Sequence, residues 1–528
     1  MRGEVENPSR RSERISARHL HAPALALLPL LLSLAFAGFV ALPQVRATPT
    51  LLWTFLVAAG LLGGWAVLLL VRMAARGVTP AFAVSLLKQH YVQACAHTSI
   101  LLYWGWYFRP VYEHAWLILA QLVFAYAFDM LLQLSRKGTY TLGFGPFPVV
   151  FSINLFLWFE DHWYYDQFLL IAAGFAAKEL LHWMKAGKSV HIFNPSSFPL
   201  AIASWVLLFT HRFDITWGEA IASSQFRPPH IYLFIFLVSL PGQFFFGVTT
   251  MILPAVVTMY LWGAAWLGVT GTYFFYQAYI PIAVFLAMNL LFTDPSTSPR
   301  TELGRIFYGV FYGATVIVLE LTTKPSFPSK LLVVPLLNLL VLLIDRAVQS
   351  PALRRFDPAR IKPEVTGRRR NLAYIAIWVV VFGAMSAARG LGDDFPGQSV
   401  PFWLDACYRQ HNRRACNQLN HAEAVACGVN SGWGCNQLGR DRHGFQDEVG
   451  AIAYFSKGCE LGFQPACENE TRLDPGGKVE YADPTVTDLP LLLSLFKSTK
   501  RPELKAMSPA ELNAVACRDG WTSACQPK

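Results

Sequence analysis

The stretches HIFNPSSFPLAIAS (His191–Ser204) and LLFTDPSTSPRTELGRIFYG (Leu290–Gly309) echo each other, and they decide how this chain is read. Each sets a turn-forming pair, Asn194-Pro195 or Asp294-Pro295, and a cluster of hydroxyls beside a long apolar run. Irregular backbone is tolerated at membrane depth only where protein or a polar cavity surrounds it. Two such interruptions in matching halves of a membrane protein point to a binding site at a repeat interface.

The rest of the chain fits that setting. Of 528 residues, 54% are hydrophobic and only 15% charged, against about 25% charged in an ordinary soluble domain. Spans are expected at 24–43, 51–72, 90–108, 115–135, 140–157, 163–184, 193–211, 230–245, 246–270, 272–292, 303–322, 327–347 and 371–390. These are runs of the length a helix needs to cross a bilayer. The fifth and eighth are short and are broken by Pro146, Pro148, Pro241 and Gly242, as half-helices or re-entrant segments would be. Residues 1–23 are basic and polar, and the apolar run after them, Ala24–Leu42, resembles a signal peptide. A second run (Leu51–Val71) follows closely and no A-x-A site is evident, so an uncleaved first span is expected.

Lys and Arg set the expected orientation. Arg2, Arg10, Arg11, Arg14 and Arg18, the loops at Arg72–Lys88, Arg136-Lys137 and Lys185–Lys188, and the run Arg354, Arg355, Arg360, Lys362, Arg368, Arg369, Arg370 are basic. All fall on one side if the span count holds, which makes that side cytoplasmic. The formal charge of +10 therefore points to membrane topology and not to nucleic acid, because the basic residues lie between apolar runs.

The tail supplies an independent signal. Cys95 stands alone, whereas Cys407, Cys416, Cys427, Cys435, Cys459, Cys467, Cys517 and Cys525 crowd the polar end. An even, dense set implies disulfides and an oxidising compartment. Orientation exports the same segment. Taken two by two in chain order they lie eight or nine apart, which favours the pairs Cys407–Cys416, Cys427–Cys435, Cys459–Cys467 and Cys517–Cys525, although eight cysteines admit many other connectivities.

Three pieces in order resemble the membrane subunit family of RnfD and NqrB, found in ion-motive, flavin-containing electron transport complexes. FAAKELLHWMKAGKSVHIFNPSSFPLAIA resembles its lysine-bearing helix end and F-N-P-A segment. LFTDPSTSPRTELGRIFYGVFYGATVIVL resembles its T-D-P-x-[ST] segment and G-R-[IL]-[IF]-[YF]-G helix. LLVVPLLNLLVLLIDRAV resembles its last helix, with Asn338 and Asp345. The resemblance implies an inverted repeat of about five plus five helices over residues 90–347, flavin (FMN or riboflavin), electron transfer coupled to cation movement, and other electron transport subunits as partners. One departure matters. The family carries covalent FMN on a threonine in an [ST]-[GQ]-A-T-type motif, and the corresponding loop, RFDITWGEAIASSQFRPP (Arg212–Pro229), has none. The nearest string is FGVTT (Phe246–Thr250), with Thr249 or Thr250 as acceptor. A helix threonine bonding back to its own turn is the plain alternative. Non-covalent flavin is therefore expected over covalent.

The candidate cofactor-binding residues are Asn194, Pro195, Ser196, Ser197, Thr249, Thr293, Asp294, Ser296 and Arg305. Free backbone groups and hydroxyls at the breaks suit a flavin phosphate, a ring edge or a small ion, and helix N-termini favour anions. Helix capping by the same residue types stays open. Asp129 and Glu320 are the main acids within spans, where acids default to functional hypotheses, with interfacial placement as the alternative. His90, His97, His114, His162, His182, His191 and His211 sit near span ends and form no H-x-x-x-H box, which argues against haem. No Walker loop, G-x-G-x-x-G, Cys-x-x-Cys or G-x-S-x-G appears. No catalytic or metal-binding residue is assigned.

Within the tail, GCNQLGRDRHGFQDEVGAIAYFSKGCELGFQPAC (Gly434–Cys467) resembles a Sel-one-like repeat of the cysteine-rich Hcp type, which stacks helix pairs as TPR repeats do. Such solenoids bind partners on concave faces. The full expectation is an all-α protein of a bacterial inner membrane with its N-terminus cytoplasmic. Residues 1–89 carry two extra helices, 90–347 the ten-helix core, 348–370 a basic linker, 371–390 the last span, and 391–528 a periplasmic disulfide-stapled repeat domain that engages a protein partner. Two other functions remain open: a non-redox solute or ion transporter on the same fold, and a membrane-anchored interaction scaffold.

Overall fold

A computed structural model describes residues 18–20, 23–185, 187–323, 327–361, 365–428, 430–473, 478–485, 488–489, 492, 504, 506–518 and 520–525. Arg2, Arg10, Arg11, Arg14 and Lys362 lie outside them. The chain divides into two compact units: Met1–Gln225 with Leu233–Met259 and Ile282–Phe382, and Phe226–Tyr232 with Tyr260–Pro281 and Gly383–Lys528.

The principal helices are α1 (Leu28–Gly38), α2 (Pro49–Ala75), α3 (Lys88–Tyr107), α4 (Ala115–Lys137), α5 (Pro146–Asn154), α6 (Tyr165–Leu180) and α7 (Ser197–Thr210). They continue as α8 (Ile231–Phe246), α9 (Thr249–Thr270), α10 (Ile282–Leu290), α11 (Glu302–Thr322), α12 (Val333–Val348) and α13 (Gly367–Ala387). In the tail follow α14 (Val400–Tyr408), α15 (Arg413–Gly428), α16 (Gly432–Gly444), α17 (Glu448–Glu460), α18 (Gln464–Thr471) and α19 (Pro509–Arg518).

Among the described residues six helices are long and apolar enough to cross a membrane: Pro49–Ala75, Ala115–Lys137, Thr249–Thr270, Glu302–Thr322, Pro328–Val348 and Gly367–Ala387. The expected list of full spans is corrected by this. Residues 272–292, expected as a full span, hold only the nine-residue α10, after an irregular run to Pro281, while 140–157, expected to be a short proline-broken piece, hold the nine-residue α5, which starts on Pro146. Both half-helices are largely buried against protein. Residues 163–184 form a 16-residue helix and then turn into a strand. Helix α3 is long but carries Gln89, His90, Gln93, His97, Thr98 and Ser99, so it is less apolar than a lipid-facing span.

The chain is also not purely helical. Strands β1 (Arg18–Leu20), β2 (Ala81–Val84) and β3 (Thr139–Leu142) form one small sheet, with β1–β2 antiparallel and β2–β3 parallel. Strands β4 (His182–Lys185) and β5 (Lys188–His191) form an antiparallel hairpin that leads straight into the Asn194 break. These connections have backbone groups outside any helix, and pairing satisfies them.

Local chemistry explains the helix ends. Gly138 closes α4 in the left-handed conformation (φ +66°), where a side chain would be strained. Thr301 caps α11, its hydroxyl accepting the Gly304 N–H at 3.0 Å, with Glu302 in the first turn. The last helix is fastened to the first unit near its start. Asn371 Nδ2 donates to the Gln243 and Phe244 carbonyls at the end of α8 (3.1 and 2.9 Å), and Arg370 and Tyr374 both bind Glu302 (2.9 Å each).

In the second unit the tail helices pack in sequence around Trp403, Trp433, Phe455 and Trp521. Disulfides join Cys407–Cys416, Cys427–Cys435, Cys459–Cys467 and Cys517–Cys525. Each links cysteines eight or nine residues apart. Residues 260–281 belong to the same unit. The Arg414 guanidinium lies over the Phe274 ring (4.2 Å) and the Trp266 ring (5.2 Å) and donates to the Phe274 carbonyl at 2.9 Å.

Candidate functional site

The two echoing blocks fold into the same local device. Asn194 Oδ1 accepts the N–H groups of Ser196 (2.9 Å) and Ser197 (3.0 Å), which opens α7. Asp294 Oδ1 accepts the Ser296 N–H at 2.9 Å and its hydroxyl at 2.5 Å. In both, an Asx side chain replaces the backbone partner that proline and the helix break remove.

The two turns also meet. Asn194 Nδ2 donates to the Leu291 carbonyl at 3.3 Å and reaches Asp294 Oδ2 at 3.5 Å. Asn338 of α12, wholly buried, ties them together. Its Oδ1 accepts the Asn194 N–H at 3.2 Å, and its Nδ2 donates to the Thr297 carbonyl (3.2 Å) and the Tyr308 hydroxyl (2.9 Å). The approach depends on glycine at one point: a Cβ on Gly174 of α6 would lie 2.3 Å from the Pro195 carbonyl oxygen.

Charged groups ring the pair. His191 Nε2 lies 2.9 Å from Ser296 Oγ and 3.5 Å from Asp294 Oδ2. Lys185 of the β4–β5 hairpin donates to the Ser298 carbonyl at 2.5 Å. Burial holds its ammonium below the usual lysine range, while Asp345 pulls it upward. Asp345 Oδ1 accepts the Arg300 N–H at 3.0 Å, and its Oδ2 is buried without a hydrogen bond. Arg305 binds the Pro299 carbonyl (3.2 Å) and the Gly247 carbonyl (2.8 Å), so it works as a brace between helix ends. Asn194, Ser196, Ser197 and Thr293 are buried, whereas His191, Asp294, Pro295 and Ser296 keep a partly exposed edge.

Thr249 is reached through a relay. Its hydroxyl lies 3.4 Å from Gln243 Oε1, Gln243 Nε2 reaches Asn289 Oδ1 at 3.2 Å, and the Asn289 carbonyl accepts the Thr293 hydroxyl at 3.0 Å. Every candidate residue named from the sequence thus connects to this one region. Thr249 and Thr250 are both buried, so neither offers a hydroxyl to a large group. The in-span acids lie elsewhere: Asp129 accepts from Gln133 at 2.8 Å, and Glu320 pairs with Lys330 at 3.2 Å.

Sequence reasoning missed a second interruption, between α5 and α6. Asn154 and Gln121 bond reciprocally (2.5 and 3.2 Å), and Gln121 also binds the Tyr164 hydroxyl at 2.7 Å. Gln167 serves the Phe159 N–H and the Leu157 carbonyl (3.2 and 3.3 Å), and Gln225 serves the Leu155 carbonyl. Asn154 and Asn289 play the same part. Each lies at or next to the end of a nine-residue half-helix and donates to the carbonyl four residues back at 2.8 Å. The legible signal was INLF (Ile153–Phe156) against MNLLF (Met288–Phe292). The first break is lined by neutral amides and the second by ions.

A flavin would fit only the exposed edge. There His191, Ser296 and the nearby Lys185 and Arg300 offer donors and positive charge, and Phe193 stacks on Phe198 (4.6 Å) alongside. A covalent link at Thr249 or Thr250 does not fit their burial. No protein-family profile, no curated protein and no solved structure matches the chain.

Proposed function

We propose that this chain is an RnfD/NqrB-like integral membrane subunit of a bacterial inner membrane, holding a flavin (FMN or riboflavin) non-covalently at the paired Asn-Pro and Asp-Pro breaks. In this reading it takes part in electron transport coupled to cation movement, alongside other electron transport subunits. The observation that carries the proposal is the direct meeting of the two Asx-Pro turns beneath Asn338. Helices α3–α7 and α8–α12 support an inverted repeat of five plus five, because the third member of each set is a buried nine-residue half-helix with an Asn at its end. Counting each half-helix and its irregular continuation as one crossing gives the odd total that puts the basic loops in the cytoplasm and the disulfide tail outside, as a partner-binding module.

The flavin, when bound, supplies the redox chemistry. The protein's own contribution is positional: Asn338 and Asn194 hold the turns, His191 and Ser296 present donors at the open edge, and Lys185 and Arg300 supply positive charge for a phosphate. A second reading, a solute or ion carrier without redox work, is favoured by one fact: the turns' polar groups are largely satisfied among themselves. One preparation separates the two. Flavin absorbance that passes into the supernatant after acid precipitation supports the first reading. In-gel fluorescence would show a covalent link and overturn the non-covalent assignment. A colourless, folded protein with its disulfides intact refutes the flavin reading altogether.

A further inference from the structure

Lys185 ends strand β4, and among the described residues of the β4–β5 hairpin it alone is buried. His182, Met184, Lys188 and Ser189 are exposed, and the two strands pair only with each other. The hairpin is therefore a narrow arm that sends one side chain into the protein. The Lys185 ammonium donates to the Ser298 carbonyl at 2.5 Å and reaches the Ser296 carbonyl at 3.5 Å. Both carbonyls belong to the irregular run between α10 and α11, just after the Asp294-Pro295 turn. Backbone carbonyls that take the place of water around a single positive charge are what an alkali ion also seeks. Unwound backbone at a helix break is where membrane carriers hold such ions.

The charges around the ammonium are mixed. Asp345 attracts it most, Asp294 attracts it less, and Arg300 and Arg305 repel it. Burial still holds the ammonium below the usual lysine range, so these groups do not fully offset the water it has lost. Asp345 is only half used. Its Oδ1 accepts the Arg300 N–H at 3.0 Å, whereas its Oδ2 makes no hydrogen bond, although the residue is only 6% exposed. A buried carboxylate oxygen without a partner is costly. A dehydrated cation, which takes oxygen ligands without directional demands, fits it better than a lysine held by carbonyls.

We infer that the Ser296 and Ser298 carbonyls and Asp345 Oδ2 form a site for one monovalent alkali cation, and that the Lys185 ammonium occupies this site as a tethered substitute until the cation displaces it. The exchange balances in charge. The ammonium leaves with its proton as one cation enters, so the buried cluster keeps the same net charge throughout. The exposed arm gives Lys185 a short path to water, and the acceptors are never left without a positive charge. The inference rests on the cation movement in the function proposed above and deepens it. It does not depend on the flavin, whose test is the colour of the protein.

The test uses the full chain in detergent, with sodium, potassium and lithium chloride as probes against choline chloride at equal ionic strength. Lys185→Met keeps a long stem and removes the charge. A seated lysine leaves the cradle free for only a minor fraction of the time, so its removal should tighten binding of at least one of the three ions by about tenfold or more, read as ion-dependent thermal stabilisation. Adding Asp345→Asn, which keeps the acceptor for Arg300, should abolish that gain. Equal ion dependence in wild type and Lys185→Met, or a gain that survives Asp345→Asn, overturns the inference. Should Lys185→Met fail to fold, the wild-type chain decides. Trypsin cleavage after Lys185 should then rise about tenfold in one of the three ions relative to choline, with cleavage after the already exposed Lys188 unchanged. Equal rates after Lys185, or a rise shared equally by Lys188, overturn the inference. A yellow protein with no ion response refutes this inference alone, and a colourless protein that responds to the ions refutes only the flavin.

Discussion

Replacing Asn338 with Ala is the sharpest perturbation of the paired turns. Asn338 is 0% exposed and makes three hydrogen bonds, to the Asn194 N–H, the Thr297 carbonyl and the Tyr308 hydroxyl. Truncation leaves two backbone groups from different breaks unmatched in a buried place. Each unmatched group costs about 1–3 kcal/mol, and membrane-protein side-chain bonds average nearer 0.6 kcal/mol. Taking the lower part of that range for the two backbone groups gives about 2–3 kcal/mol. At about 1.4 kcal/mol per tenfold, local opening of the turns should rise roughly 30- to 150-fold. Hydrogen exchange read peptide by peptide should show the gain confined to 191–200 and 291–300, with α1 and α2 unaffected. Leu339→Ala, at an exposed neighbour, should leave both segments as in wild type. Unchanged protection at both breaks in Asn338→Ala would refute the claim that this side chain joins them.

Three further outcomes follow from the same geometry. Gly174→Ala places a methyl 2.3 Å from the Pro195 oxygen and should cost about 1–3 kcal/mol in a thermal melt, whereas Gly268→Ala, with nothing within 4 Å, should not lower the midpoint. Arg414→Ala removes the contacts to Phe274 and Trp266 and the carbonyl bond, at about 1–3 kcal/mol, and should speed limited proteolysis within 391–412; an unchanged cleavage rate counts against the clamp. Burial, reinforced by Asp441, pushes the Glu423 carboxyl well above its usual 4.5. The folded state then holds a proton that the unfolded state releases, so tail stability is greatest below about pH 4.5 and falls as pH rises toward the raised value. Glu423→Gln should flatten that dependence and stabilise the tail at neutral pH; a pH profile identical to wild type would contradict it.

The sequence by itself determined the membrane setting, because long apolar runs and sparse charge leave few alternatives. It also determined the tail's helical, disulfide-rich character, because eight cysteines, falling into four pairs eight or nine residues apart, crowd one polar segment. It marked the paired turns as well, since Asn-Pro-Ser and Asp-Pro-Ser carry their own capping chemistry within three residues. What it did not determine was set by distance along the chain. Asn338 meets Asn194 across 144 positions, and Lys185 meets Ser298 across 113, contacts that no local pattern encodes. The same holds for α10: it read as part of a full span because burial against protein, and not lipid, lets an apolar run stop after nine residues, whereas Pro146 and Pro148 had already marked the segment of α5 as short. Tertiary structure alone showed that the two echoes form one site, because only the folded chain brings the unmatched backbone groups of one break to the side chains of the other.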